Sequence, residues 1–598
     1  MKKNGKFPKI RDKKTSRRQF VGNSVAVSGI AMASGLFKKS GFTAYGAEAE
    51  YDLVVIGSGA AGMTAALTAA DSGMRVLVVE KDSKYGGSTA RSGGGIWIRN
   101  NDVLKEAGVQ DSLEEATRYL NQVAGSEVPL EKQASFIKHG PDMIRFVTDK
   151  TPLSFRYMKG YSDYYPDYEG GKGEGASIEP KVLNGKILGK ELKKLKAPYI
   201  PTPKGVVVYG GDYKWLTLAK VTRQGLETSA KAVARYARTA LTGQKPLTMG
   251  QALAAGLRAG LIDAKVPLWL NAAMKDLSVD VNGKVDGVIV AVKNKNTLVK
   301  ARYGVVVASG GFEHNEEMRQ KYQRKPIGTE WTLGSEANTG DGILAGQKAG
   351  AALKFMDDAW WGPTIPLTKT TPYFCLSERS LPKSILINRY GKRFTNEAAP
   401  YHDVVNAMYQ KNVRGSSIDT WLVTDQEYRN RYLFRDVLPG FKYPKEWYES
   451  GAVVKADSVE ALAEKIGVPV KSLVATVSRF NKFAEQGKDE DFGRGENDYD
   501  LYYSDPGERP NASLGKLEKG PFYAFRVVPG DLGTKGGLVT DEYARVLRKD
   551  NSIIDGLYAA GNASDAVMGR SYAGAGSTLG PAMAFGYIAA LHASGLIG

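Results

Sequence analysis

Near its C-terminus the chain reads Met568-Gly569-Arg570-Ser571-Tyr572-Ala573-Gly574-Ala575-Gly576, followed by Thr578-Leu579-Gly580-Pro581. A tyrosyl hydroxyl beside the backbone N–H groups of a glycine-rich loop supplies hydrogen-bond donors suited to a carbonyl oxygen gaining negative charge. At the other end, Gly57-Ser58-Gly59-Ala60-Ala61-Gly62 has the spacing of a dinucleotide-binding loop. Together the two loops point to redox chemistry next to a ketone.

The elements around the first loop fit that use. Residues 51–56 form an apolar run typical of a buried parallel strand, an Ala-rich helix is predicted over Met63 to Ser72 with Gly73 as its stop, and the strand Arg75 to Val79 ends in Glu80. Glycines let the backbone approach a pyrophosphate at a helix N-terminus, and an acid at this distance can accept from ribose hydroxyls. A second small-residue stretch, Gly86 to Gly95, follows at once and contains Gly87, Ser88, Thr89, Ser92, Gly93 and Gly94. A nicotinamide enzyme has no need of it, so non-covalent FAD is favoured over NAD. Strands at Gly304 to Ala308 and Gly556 to Ala560 return to the cofactor edge, the second running into Gly561 and Asn562. With Thr578 and Leu579 these complete the cofactor-binding set.

The fold class is α/β: a Rossmann-like FAD-binding domain split in sequence (50–358 and 534–598) with an inserted α+β substrate, or capping, domain at 359–533. The insert is marked by aromatic and proline-rich composition near Trp360, Trp361 and Pro363, and by helical patterns near 457–466 and 470–485. Between them, residues 212–262 are basic and helix-prone. They are read either as a membrane-facing or lid segment or as a solvated helical excursion.

The formal charge of +18 invites a nucleic-acid reading, but residues 1–49 hold 11 basic and 2 acidic residues, so half the excess sits in that leader. The remainder is an ordinary solvated surface, and no nucleic-acid partner is expected. The leader runs from a basic stretch through Ser16-Arg17-Arg18-Gln19-Phe20 and a weak apolar run to Ala47-Glu48-Ala49. It is read as a twin-arginine signal peptide, which implies the translocation machinery as a partner and a periplasmic or cell-envelope location. Cys375 is the single cysteine, which excludes an internal disulfide, a CxxCH haem site and a cysteine-ligated cluster. Four scattered histidines offer no metal spacing, and His314 and His402 are read as structural. Electrons must therefore leave to an external acceptor, a quinone or a redox protein.

Beyond these signals, the chain resembles the 3-ketosteroid Δ1-dehydrogenases of the fumarate reductase flavoprotein superfamily over nearly all of residues 50–598. The resemblance rests on Gly86 to Gly95, Gly160-Tyr161-Ser162-Asp163-Tyr164-Tyr165-Pro166, Ser309-Gly310-Gly311-Phe312-Glu313-His314-Asn315, Ala337 to Gly342, Asp358 to Pro363 and Gly530 to Gly537. It implies a 3-ketosteroid substrate, Tyr401 as acceptor of the C2 proton, Tyr164 as its supporting phenol with Tyr165 as the alternative, and Tyr572 with the Gly576 N–H as the pair polarising the 3-keto oxygen. Hydride from C1 would pass to flavin N5. The chain departs from the family at Ala573 and Ala575, where prolines are common, and at Ala176, where an arginine is common. Competing readings are a Δ4-(5α)-ketosteroid dehydrogenase or enone-reducing sister enzyme, a fumarate-reductase-like enzyme, and an exported flavin-binding protein without catalysis.

Overall fold

The computed structural model describes residues 50–199, 206–368, 372–414 and 417–598. The segment read from the sequence as a twin-arginine signal, with Arg17-Arg18 and Ala47-Glu48-Ala49, lies outside the described residues.

The apolar run Leu53 to Ile56 is buried because it is interior to a parallel sheet: Val55 pairs with Val306 on one side and Val78 on the other. The sheet orders the strands Arg545–Leu547, Ile553–Ala559, Lys295–Val307, Glu50–Ile56, Val76–Val79 and Leu268–Trp269. The 13-residue strand Lys295–Val307 serves two sheet regions, its first half pairing antiparallel with Val285–Val292 and its second half parallel with Glu50–Ile56. Four parallel strands thereby deliver their carboxyl ends to one edge, where Gly57, Glu80, Ala308 and Gly561 follow. In open α/β sheets that edge is where ligands bind.

The first helix starts earlier than its composition predicts, at Ala60 rather than Met63, and runs to Asp71. Ala60 and Ala61 are strong helix formers, and Gly59 supplies an extended N-cap, so the glycine loop itself forms the first turn. Gly86 to Gly95 is likewise no plain loop, since Gly87–Arg91 is a short helix.

The second sheet is antiparallel and built entirely of strands between Ala359 and Thr534, with Phe522–Thr534 pairing with Ala359–Ile365, Thr420–Thr424 and Val453–Ala456. Its strands have period-2 packing. Ile385, Ile387, Val423 and Ala524 face the helices Val459–Ile466 and Val470–Gln486, while Leu386, Leu422 and Phe525 face Met408, Phe434 and Trp447. The basic stretch 212–262 divides into three helices. Met249–Asp263 is almost wholly buried, whereas Arg223–Leu241 leaves Leu226 and Leu241 64% and 89% exposed. Among the described residues no helix is long and apolar enough to cross a membrane.

Candidate active site

A cavity of about 1260 Å³ runs from the carboxyl edge of the parallel sheet to the second sheet. Its first half is a cradle for a dinucleotide. Gly57 holds a φ of +102°, and a Cβ there would meet the Ala308 carbonyl oxygen at 2.4 Å, so only glycine lets the two strand ends meet. Gly87 and Gly93 have nothing within 4 Å of a Cβ position, which leaves their stretch of the wall open to a flat ligand. The first turn of Ala60–Asp71 has N–H groups without helical partners, suited to a pyrophosphate. The residues present fit FAD.

All the cofactor residues expected from the sequence line this cavity except Gly62. Gly62 is instead a packing residue: a Cβ there would lie 2.0 Å from the Gly57 carbonyl oxygen. Glu80 is on the wall, but its carboxylate also braces the loop, with Oε2 accepting from the Ser58 amide (3.0 Å) and hydroxyl (2.6 Å), and Oε1 from the Asp82 amide (2.9 Å). Thr89 Oγ1 accepts from the Ala60 N–H at 2.9 Å, and Ser88 Oγ from Ser335 N–H and the Asn338 amide. The second small-residue stretch thus locks the first. Asn562 Oδ1 accepts from Trp360 Nε1 at 2.9 Å, tying the cofactor edge to the second sheet.

The other half of the cavity gathers Tyr164, Tyr401, Tyr572 and Gly576, which are far apart in sequence. Tyr401 opens the helix Tyr401–Asn412 after Pro400, so its position is set by a rigid element. Tyr164 donates its hydroxyl hydrogen bond to the Tyr401 oxygen at 2.7 Å. The rings of Tyr401 and Tyr572 meet edge-on at 5.2 Å, Phe374 packs edge-on against Tyr401 at 5.2 Å, and Trp360 against Tyr572 at 4.9 Å. Tyr165 points elsewhere: its hydroxyl donates to Asp403 Oδ1 at 3.1 Å and accepts from Ser571. The geometry therefore separates the two adjacent tyrosines, and Tyr164 is the one beside Tyr401.

The glycine-rich loop is held from both ends. The Ala573 carbonyl accepts from the Tyr164 N–H (3.0 Å) and the Tyr119 hydroxyl (2.5 Å), while the Tyr572 and Thr578 hydroxyls lie 3.0 Å apart. Gly576 has φ +100°, and its carbonyl accepts from the N–H groups of Trp97 and Gly580. Below Tyr164, the neighbouring Asp163 carboxylate accepts from Trp97 Nε1 (2.8 Å) and the Lys172 N–H (3.1 Å), fixing the loop. Ala176 is fully buried in the same core.

Burial sets the electrostatics. It pushes the phenols of Tyr401 and Tyr164 well above the ordinary value, and that of Tyr572 upward, while the hydrogen bond from Tyr164 acts in the opposite direction on Tyr401. His402, whose ring faces Arg570's carbonyl oxygen, is pushed by burial down to about 3 and stays neutral. His314 Nε2 donates to the Gly334 carbonyl oxygen at 3.3 Å, outside the cavity wall. No group of side chains among the described residues could hold a metal ion.

Sequence reasoning assigned no role to Tyr161, Tyr499 or Phe374. Tyr161 stacks between Tyr502 (4.3 Å) and the Tyr164 side of the cavity, and Tyr499 packs edge-on on Tyr164 at 4.8 Å. Only Tyr161 had a local signal, as a member of the motif that holds Tyr164.

A cradle for a flavin dinucleotide that continues into a buried cluster of phenols defines a flavoprotein oxidoreductase fold. The family model described as FAD binding domain matches residues 52–579. A 3-oxosteroid 1-dehydrogenase of Mycolicibacterium smegmatis is 52% identical over 91% of this chain and 97% of its own length. Among solved structures, a 3-ketosteroid delta1-dehydrogenase of Sterolibacterium denitrificans, in complex with 1,4-androstadiene-3,17-dione, superposes with a TM-score of 0.87 at 38% identity, covering 92% of this chain and all of that one. A 3-ketosteroid-delta4-(5alpha)-dehydrogenase of Rhodococcus jostii shares the fold alone, at 21% identity and a TM-score of 0.61 over 92% of this chain and 97% of that one. The chain belongs to the 3-oxosteroid 1-dehydrogenase family, among proteins with the FAD binding domain.

Proposed function

We propose that the protein introduces a C1–C2 double bond into 3-ketosteroids, with Tyr401 accepting the C2 proton and Tyr572 and the Gly576 N–H holding the 3-keto oxygen. The observation that carries this reading is the Tyr164–Tyr401 hydrogen bond of 2.7 Å facing Tyr572, in a cavity continuous with the dinucleotide cradle. A proton beside a ketone is too weakly acidic to remove unless the carbonyl is drawn toward its enolate, which two donors accomplish in a water-poor site. When the proton passes to Tyr401, the C2–H electron pair becomes the new double bond as hydride leaves C1. Bound FAD supplies the acceptor for that hydride, at N5. Both electrons then pass to an external acceptor, a quinone or a redox protein. The apolar face of Phe374 on the cavity wall excludes water around the reacting carbons, and Trp360 backs the Tyr572 ring.

Anaerobic mixing of the FAD-loaded protein with a 3-keto-4-ene steroid tests this directly. The flavin should bleach, and the product should be lighter by two hydrogens with vinyl protons at C1 and C2. A double bond formed at C4–C5 from a saturated ring would establish the Δ4 reading instead. Bleaching by dicarboxylates would establish the fumarate-reductase reading.

Export by the twin-arginine route to the periplasm or cell envelope is part of the same proposal, supported by Arg17-Arg18 and the weak apolar run that follows. Replacing both arginines by lysine should trap the precursor in the cytoplasm; unchanged export would refute the route. The helix Arg223–Leu241, with Lys231 and three arginines beside exposed Leu226 and Leu241, supports a peripheral membrane contact.

A further inference from the structure

Arg379 is wholly buried. Its Nη1 donates to the carbonyls of Glu397 and Ala399, the latter at 2.7 Å, in the loop that ends in Tyr401. Its Nε and Nη2 have no hydrogen-bond partner. Other buried cations nearby are neutralised: Arg393 by Glu397 and Asp489 at 2.7 Å each, Arg494 by Glu397 at 3.2 Å, and Lys535 by Asp358 at 3.5 Å. Arg379 makes no ion pair among the described residues.

Besides the carboxyls of Asp403 and Asp500, what stands beside it is a set of phenols. The Tyr499 hydroxyl makes no hydrogen bond of good geometry but lies within reach of the guanidinium, which draws the phenols of Tyr499 and Tyr161 downward against burial. Tyr499 packs on Tyr164, which donates to Tyr401. An isolated buried cation costs several kcal/mol, and so does a buried phenolate. Placed together, each offsets the other. Tyr401 needs such an offset, because a phenol that keeps its own proton cannot take the one from C2.

We propose that Arg379 is a positioning residue for the chemistry, the counter-charge of the phenolate that Tyr401 and Tyr164 share before the C2 proton is taken. The resting proton of Tyr401 leaves to solvent, the phenolate forms with the guanidinium acting on it across Tyr499 and Tyr161, and the C2 proton then makes a new O–H bond on Tyr401 while its electron pair becomes the C1–C2 double bond as hydride leaves C1. This inference rests on the steroid-dehydrogenase reading above. The groups facing Tyr401 are Tyr161, Tyr499 and Tyr572, which disfavour its charge, and Tyr164, which favours it. Those facing Arg379 are Tyr161, Tyr499, Cys375, Asp403 and Asp500.

The test compares Arg379→Gln, whose amide can still donate to the Glu397 and Ala399 carbonyls, with Arg379→Lys, which keeps a cation. Both FAD-loaded variants and the wild type are followed by anaerobic stopped-flow bleaching with a 3-keto-4-ene steroid from pH 6 to 10. Arg379→Gln should keep its FAD and its steroid KM, lose about ten-fold or more in bleaching rate at pH 7, and recover as pH rises, its rising limb displaced upward by at least one pH unit, a ten-fold change in the equilibrium. Arg379→Lys should keep the wild-type limb. A Gln variant with the wild-type profile overturns the proposal whatever its absolute rate. If the Gln variant does not accumulate as holoprotein, a displaced limb in the Lys variant overturns it and an undisplaced one supports it. A wild type that no 3-ketosteroid bleaches would overturn the functional reading instead.

Discussion

Tyr164 and Tyr165 are neighbours whose hydroxyls enter different networks, one ending at Tyr401 and the other at Asp403. Residue type alone leaves them equivalent, since both are buried phenols in one short motif. What separates them is backbone direction: the Tyr164 N–H is fixed by the Ala573 carbonyl. The difference can be measured. Tyr401→Phe keeps the aromatic body and should leave FAD and steroid binding intact while lowering the rate of flavin bleaching by about 10²–10⁴, the usual worth of a positioned base. Tyr572→Phe should lose about 10²–10³, as expected for one donor to a developing oxyanion. Tyr165→Phe should stay within a few-fold of wild type, because its partners are Asp403 and Ser571 rather than the reacting atoms. A Tyr165→Phe variant as impaired as Tyr401→Phe, with Tyr164→Phe active, would reverse the assignment. The role of Tyr499 was illegible in the sequence because Tyr164 and Arg379, which it meets, each lie more than a hundred residues away along the chain.

At the scale of elements, the glycines were legible as a pattern but not by role. Gly57 and Gly62 belong to one motif, yet the first lines the cavity and the second packs the helix onto the strand. The helix start at Ala60 was missed because glycines were read as loop, although a glycine that packs closely is tolerated in a first turn. Left-handed backbone likewise means different things at different places. Gly73 has φ +85° with nothing within 4 Å of a Cβ, while at Gly576, φ +100°, a Cβ would meet the Ile96 nitrogen at 2.4 Å. Gly73→Ala should therefore cost only about 1 kcal/mol of backbone strain, with unchanged turnover. Gly576→Ala must displace the loop that carries the N–H proposed to hold the ketone, and its turnover should fall at least 10²-fold even where FAD is retained. Steady-state turnover and thermal unfolding of the two holoproteins check the pair. Equal effects on turnover would remove Gly576 from the site.

At the scale of the whole molecule, the two sheets meet at a buried acid. Glu313 follows the strand Lys295–Val307, and its carboxyl oxygens take the Asn338 amide at 2.7 Å and the N–H of Thr534, the last residue of Phe522–Thr534, at 3.4 Å. The split of the chain into two sheets was legible from composition, but this junction was not, because Glu313 and Thr534 are brought together only by the fold. Burial, aided by the Asp531 charge, pushes the Glu313 carboxyl from 4.5 up to about 7. An acid whose folded value is raised contributes stability that is complete below its unfolded value and is lost as pH rises through the folded one. The window here is pH 4.5 to 7, and the loss is on the order of 3 kcal/mol. Glu313→Gln cannot ionise and lacks this slope, while Glu179, Asp163 and Asp403 titrate alike in both proteins and cancel. Denaturant unfolding of the two holoproteins should show the variant gaining on the wild type as pH rises from 4.5, with the gain levelling off above 7. Stability curves that run parallel across that window would mean that Glu313 is already ionised in the folded protein at low pH, and that the junction holds a charge rather than a proton.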